Sequence, residues 1–90
     1  MDGSSQNFYT YILLCGDKTF YTGWTTNIES RLKAHNEGRG SRYTRARLPV
    51  EVLTYWQFQS KAEAMSFEWK VKQLKREEKL ALVEQRQGKI

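Results

Sequence analysis

Apolar and polar residues alternate along the first quarter of this chain and then fall into a three-to-four-residue rhythm. That change of period divides the sequence into elements. Phe8 to Leu14 and Phe20 to Trp24 are rich in aromatic and β-branched residues, with the turn-forming "GDKT" between them, which predicts a hairpin with a loop of about four residues. Helical spacing begins in "TTNIESRLKAHNEG": Thr26 and Glu29 are spaced as a capping box, Ile28 and Leu32 lie four apart, and Gly38 supplies a stop. Arg31 and His35 are also four apart and so share one face of this short helix. After the single proline, Pro49, "VEVLTYWQF" sets Val50, Val52, Thr54, Trp56 and Phe58 against Glu51, Leu53, Tyr55 and Gln57, the pattern of a third strand.

A second capping box, Ser60 with Glu63, opens the longest helix, whose core stripe is Ala64, Phe67, Val71 and Leu74. Glu68 falls at the rim of that stripe, on the side of Ala64, Val71 and Lys72. Glu77 to Arg86, with Leu80, Ala81 and Val83, predicts a further helix that covers the sheet. The order ββαβα(α) with short connections predicts an α+β fold, a small three-stranded antiparallel or mixed sheet flanked by helices.

Ninety residues suffice for one domain with one modest core. The expected body runs over 8–86, with flexible ends at 1–7 and 87–90. The longest apolar run, Tyr11 to Cys15, is far short of a bilayer span, and "MDGSSQN" has no basic-then-apolar signal pattern, so the expected location is cytoplasmic and no membrane is involved. One cysteine and one histidine exclude an internal disulfide and a structural zinc site. Cys15, ending a β-rich run, reads as a small buried side chain.

Fifteen basic against ten acidic residues give a net charge of +5, which favours polyanionic partners. From Gly38 to Leu48, "GRGSRYTRARL" holds Arg39, Arg42, Arg45 and Arg47, no acid, and Tyr43. Guanidinium groups fork onto phosphate oxygens and a tyrosine stacks on a base or sugar, so this loop is the best candidate nucleic-acid contact in the chain. In the hairpin, Tyr9 and Tyr11 face one side of their strand, and Tyr21 and Gly23, also two apart, can be brought beside them. Cross-strand tyrosine pairs are ordinary sheet chemistry. A glycine before a helix cap, an arginine and histidine at helical spacing, and a carboxylate at a helix margin are not accounted for that way.

Together, "YTY" (Tyr9 to Tyr11), "YTG" (Tyr21 to Gly23), Arg31, His35 and Glu68 resemble the signature of the GIY-YIG nuclease superfamily, and the run from about Phe8 to Leu82 is similar to its compact, stand-alone bacterial branch. The resemblance implies the GIY-YIG fold and a metal-dependent phosphodiester hydrolase acting on DNA. It places Tyr11 and Tyr21 in the active site, Tyr11 helping to deprotonate the attacking water with His35 as a proton relay. It gives Arg31 the charge of the scissile phosphate, and Glu68 one Mg²⁺ or Mn²⁺ ion. Gly23, Lys72 and the four arginines with Tyr43 are then the nucleic-acid contacts.

Such chemistry needs cations on the non-bridging oxygens and an activated water. Magnesium accepts one or two carboxylates when phosphate and waters complete its shell. A phenol of ordinary pKa near 10 needs neighbouring positive charge from Arg31, Lys72 or metal to serve as a base. The chain departs from the family pattern in three places. Tyr9 replaces the first glycine, Thr22 replaces an isoleucine, and no asparagine follows Glu68, where Gln73 or Lys72 would have to stand in. The expected partner is nucleic acid, DNA before RNA, with a protein partner or the shape of flapped, branched or single-stranded DNA supplying selectivity. The competing expectation is a catalytically silent nucleic-acid-binding module of the same fold.

Overall fold

The computed structural model describes residues 6–87, so most of the ends expected to be flexible lie outside the described residues. β1 (Phe8–Leu14) and β2 (Phe20–Thr25) form the hairpin, followed by α1 (Ile28–Asn36), α2 (Arg42–Arg45), β3 (Glu51–Phe58), α3 (Lys61–Lys72) and α4 (Arg76–Gln87). The sheet has the order β2-β1-β3 and both pairings are antiparallel, which settles the choice between antiparallel and mixed. The central strand, β1, is also the most apolar.

Alternation along β1 sends successive side chains to opposite faces. Tyr11 and Leu13 pack with Cys15, Val50, Tyr21 and Val52 beneath Ile28 and Leu32 of α1. Ile12 faces the other way, against Val71 and Phe67 of α3 and Val83 and Leu82 of α4, with Phe20, Leu53 and Trp56 beside them. On that face Thr10 is fully buried, and its hydroxyl donates to the Ala64 carbonyl at 2.7 Å, tying β1 to α3. Of the expected stripe, Ala64, Phe67 and Val71 lie on the face α3 turns to the sheet, while Leu74 falls beyond the end of the helix; α4 does cover the sheet.

Four local expectations are corrected. The strict alternation over Val50 to Phe58 is broken by a bulge: Leu13 pairs with Val52 but Ile12 with Thr54, leaving Leu53 as the extra residue. Before it, Val52 packs on the α1 side; after it, Tyr55 stands opposite Tyr11 on that same side, while Leu53 and Trp56 join the α3 side. The strand itself begins at Glu51. Val50 is instead held by the Asn36 side-chain amide, whose Oδ1 accepts from Val50 N at 2.8 Å and whose Nδ2 donates to Val50 O at 3.0 Å.

The α1 cap is Asn27 rather than Thr26. Asn27 is extended and its Oδ1 accepts from Ser30 N at 2.9 Å, so it captures the orphan donor one position later than the capping-box spacing suggests. The arginine-rich segment, expected as a loop, contains the single turn α2, capped by Ser41 Oγ accepting from Thr44 N at 3.1 Å. At the other end of α1, Gly38 does stop the helix. With φ at +82°, it lets Gly38 N donate to His35 O and Arg39 N to Ala34 O, a Schellman closure.

Candidate active site

The two tyrosine-bearing strands meet as the hairpin pattern requires, with Tyr11 opposite Gly23 and Leu13 opposite Tyr21. Tyr11 is buried, and its phenol lies across β2. A Cβ on residue 23 would sit 2.6 Å from Tyr11 Oη, 2.8 Å from its Cζ and 3.2 Å from Tyr21 Cε2. Glycine is needed here because an aromatic ring occupies the volume any side chain would fill.

His35, from the last turn of α1, completes the cluster. It is fully buried, and Nε2 lies 2.9 Å from Tyr11 Oη while Nδ1 lies 2.7 Å from Thr44 Oγ1, which in turn is 2.9 Å from Ser41 Oγ. Its ring packs so closely on Gly40 that a Cβ there would overlap Nδ1. The Gly40 carbonyl accepts from Arg31 Nη2 at 2.9 Å. The segment after α1 is thus folded back onto the arginine and histidine that α1 presents one turn apart. Tyr21 makes an edge contact with His35 at 5.3 Å between ring centroids and stacks on Tyr43 at 5.9 Å.

Burial sets the protonation states. It pushes the Tyr11 phenol up to about 12; the nearby Arg31 guanidinium pulls the other way, and Tyr21 and the Glu68 carboxylate add to the rise. The expected lowering by neighbouring cations therefore loses to desolvation in the chain alone. Burial also brings His35 down to about 4, with help from the Arg31 charge. At neutral pH the pair is a protonated phenol and a neutral imidazole. Passing the Tyr11 proton to Nε2 requires the tautomer with the ring proton on Nδ1, for which Thr44 Oγ1 is the acceptor at 2.7 Å, a chain that runs from Tyr11 through His35 and Thr44 to Ser41.

Glu68 projects from the margin of α3. Its carboxylate is close enough to act electrostatically on the Tyr11 phenol, its side chain is 18% exposed, and Lys72 Nζ, one turn on, lies 3.1 Å from Oε2. The expected site residues Tyr11, Tyr21, Gly23, Arg31 and His35 come together on the α1 face, and Glu68 approaches them from the helix on the other side of the sheet.

The basic segment is less available than its composition suggests. Arg39 pairs with Glu37. Arg47 lies 3.0 Å from Asp17 Oδ2 and caps the Tyr43 ring at 3.8 Å, so Tyr43 is held between Arg47 and Tyr21 instead of standing free to stack on a base. Arg42 and Arg45 are exposed, and among the described residues neither is in an ion pair. Lys72, expected to contact nucleic acid, is engaged with Glu68.

Among the described residues no three His, Cys, Asp or Glu side chains gather as a metal cage. One partly accessible carboxylate fits a hard divalent cation whose other ligands are phosphate oxygens and water, and Glu68 is the residue that would hold it. Residues the sequence did not single out are Thr44, Ser41 and Gly40, which fix His35, and Asn36, which anchors the start of β3. Their signal, small polar residues and glycines in "GRGSRYT", becomes readable only once the segment is known to fold back.

Residues 7–81 match the family model of the GIY-YIG catalytic domain. The chain is 51% identical over 75 residues to the UPF0213 protein CPE1444 of Clostridium perfringens, covering 83% of this chain and 81% of that one. It is likewise 51% identical over 79 residues to the UPF0213 protein OB0043 of Oceanobacillus iheyensis, with 88% and 92% covered. Among solved structures, the UPF0213 protein BH0048 from Bacillus halodurans superposes with a TM-score of 0.57 at 47% identity, over 87% of this chain and 83% of that one. The protein EF2693 from E. faecalis does so with a TM-score of 0.61 at 38% identity, over 89% and 85%. The fold is thus shared with these proteins, and the chain belongs to the GIY-YIG family, a nuclease superfamily, within its UPF0213 group.

Proposed function

We propose that this protein is a divalent-metal-dependent endonuclease that hydrolyses phosphodiester bonds in DNA. The observation that carries the reading is the convergence on Tyr11: a guanidinium near enough to act on its phenol, a neutral histidine 2.9 Å from it, and a carboxylate within electrostatic reach. Arg31 binds a non-bridging phosphate oxygen and orients the phosphate beside Tyr11; the protein itself occupies one of its donors, through Gly40. Tyr11 takes a proton from the attacking water at Oη while giving its own to His35 Nε2, which needs no free phenolate. Thr44 and Ser41 hold the ring that receives it. Glu68 would hold the cation, and Lys72, 3.1 Å from its carboxylate, adds positive charge beside that position. A bound Mg²⁺ or Mn²⁺ would supply positive charge against the phosphate as the pentacoordinate state forms.

A second reading, a silent nucleic-acid-binding module, draws on one observation: a phenol pushed up to about 12 is a reluctant participant in proton transfer near neutral pH. Purified protein incubated with single-stranded, duplex, flapped and branched DNA, and with RNA, under Mg²⁺, Mn²⁺ or EDTA separates the two. The endonuclease yields metal-dependent DNA products that disappear in Glu68→Ala. Binding without products in any metal is the outcome that sinks it, and products that persist in Glu68→Ala identify a contaminant.

A further inference from the structure

On the face that carries Tyr11, the sheet continues into a cleft of about 460 Å³ lined by Tyr9, Tyr55, Thr26, Asn27, Ile28 and Glu29. None of these belongs to the cluster around His35. Tyr9 is two residues along β1 from Tyr11, on its side of the strand, and Tyr55 is Tyr11's direct partner on β3. The cleft is therefore the next surface a polynucleotide meets once one of its phosphates sits beside Tyr11 and Arg31.

Its chemistry is unlike that of the phosphate site. The lining has two phenol rings, small polar groups and one acid, with no lysine or arginine, so it disfavours an anion. Tyr9 and Tyr55 meet edge to face with centroids 5.8 Å apart and planes at 82°. That arrangement is a corner with one ring as floor and the other as wall. Tyr55 is 46% exposed, so much of its surface is left without a partner in the chain. Its backbone is held from outside, Arg86 Nη2 donating to Tyr55 O at 2.6 Å, which fixes the platform. The bulge at Leu53 is what turns Tyr55 to this side, since unbroken alternation from Val52 would have sent it to the opposite face.

We propose that the Tyr9–Tyr55 corner is a nucleobase subsite: it stacks one unpaired base of the nucleotide flanking the phosphate held at Tyr11 and Arg31. The assignment rests on the reading of that cluster as a phosphodiester site. An aromatic floor accepts any base, because every base has a π face, so the subsite selects for an unpaired base and not for a sequence. A base inside a duplex already stacks on its neighbours and gains nothing from the corner.

The test is equilibrium binding in EDTA, where no turnover enters, of an end-labelled short single strand and of a blunt duplex of the same sequence. Base–aromatic stacking implies that Tyr55→Ala weakens single-strand binding by about tenfold, since about 1.4 kcal/mol is one decade. Tyr55→Phe, which keeps the ring, stays near wild type, and duplex binding is unchanged in both variants. A set of strands each carrying one abasic position should contain a member that reproduces the loss with wild-type protein and loses nothing more with Tyr55→Ala. Equal weakening on duplex and single strand, or abasic and Tyr55→Ala losses that add, would overturn the subsite. An absence of cleavage in every metal would instead count against the nuclease reading, and this binding pattern would still stand or fall by itself.

Discussion

The two faces of the sheet are built from the same alternating strands and do opposite work. The α3 and α4 face buries Ile12, Val71 and Val83 with Phe67, Trp56 and Leu53 around them, and the polar groups buried beside them are threonines, which do not titrate. The α1 face buries a phenol, an imidazole and the Thr44 hydroxyl beside aliphatic residues, and holds Arg31 and Ser41 half-buried among them. Burying polar groups costs about 1–3 kcal/mol each unless they are hydrogen-bonded, and here they satisfy one another in a chain. One face therefore stabilises the fold, and the other is held together by the fold with its titratable groups fixed in place. Substitutions on the first should be read in melting curves, and those on the second in activity.

The sharpest way to break this comparison is Ile12→Ala. Ile12 is fully exposed to the apolar cluster and to no solvent, so truncation should cost about 2–5 kcal/mol and lower the midpoint of thermal unfolding by roughly 20 °C. Rates per folded molecule, measured well below that midpoint, should not change. A loss of specific activity without a loss of stability would mean that the two faces are not separable.

Next in size is Gly23→Ala, the mirror case. The added methyl would sit 2.6 Å from Tyr11 Oη, so the phenol must move off β2. Displacing a reacting group by about 1 Å costs on the order of 100-fold in rate, and overpacking should add about 1–3 kcal/mol of destabilisation. Circular dichroism should still show the native sheet. Full activity in this variant would remove Tyr11 from the chemistry.

The imidazole offers a third measurement. His35 titrates near 6.5 when unfolded and near 4 in the fold, so between those values the unfolded chain binds a proton that the native chain does not. Stability is then complete above about pH 6.5 and declines as pH falls toward and below 4, by about 3 kcal/mol in all. Denaturant titrations of wild type and His35→Gln across that window should differ in slope, the variant being flatter. Parallel curves would show that the histidine is not held neutral by its surroundings.

How much of this was legible beforehand follows from the range of each interaction. Period-2 and period-3.6 patterns are local, so β1, β2, α1 and α3 and the facing of Tyr11, Gly23, Arg31 and His35 could be read from spacing alone. The one-turn α2 has too few residues for a period. The bulge at Leu53 is invisible in β3 because it exists only relative to β1. Thr26 and Asn27 are both good caps, and the choice between them is made by which side chain reaches Ser30. The pairing of Arg47 with Asp17, thirty residues upstream in another turn, lies outside any window that holds the arginine-rich segment. The rise of the Tyr11 pKa depends on burial by three separate segments, which no window of sequence contains.

The smallest predicted effect tests the polar face at its far end. Thr44 touches neither Tyr11 nor any group placed at the phosphate; it acts only by fixing the imidazole, through Oγ1 at 2.7 Å from Nδ1. Thr44→Val keeps the shape and removes the hydroxyl, leaving a buried Nδ1–H unsatisfied, so it should cost about 1–3 kcal/mol of stability. If the wire has the direction argued above, loss of the acceptor also releases the tautomer in which Nδ1 carries the proton. Some molecules then present Nε2–H to Tyr11, and the phenol can no longer give its proton away. Cleavage should fall several-fold in kcat with little change in KM, and the dependence on pH should steepen, because the variant must rely on phenolate, which grows tenfold per pH unit below a pKa of about 12. Thr44→Ser, which restores the acceptor without the methyl, should recover the wild-type pH profile even if it leaves some stability behind. A merely structural threonine would give the reverse, with stability following the methyl group and the pH profile following nothing.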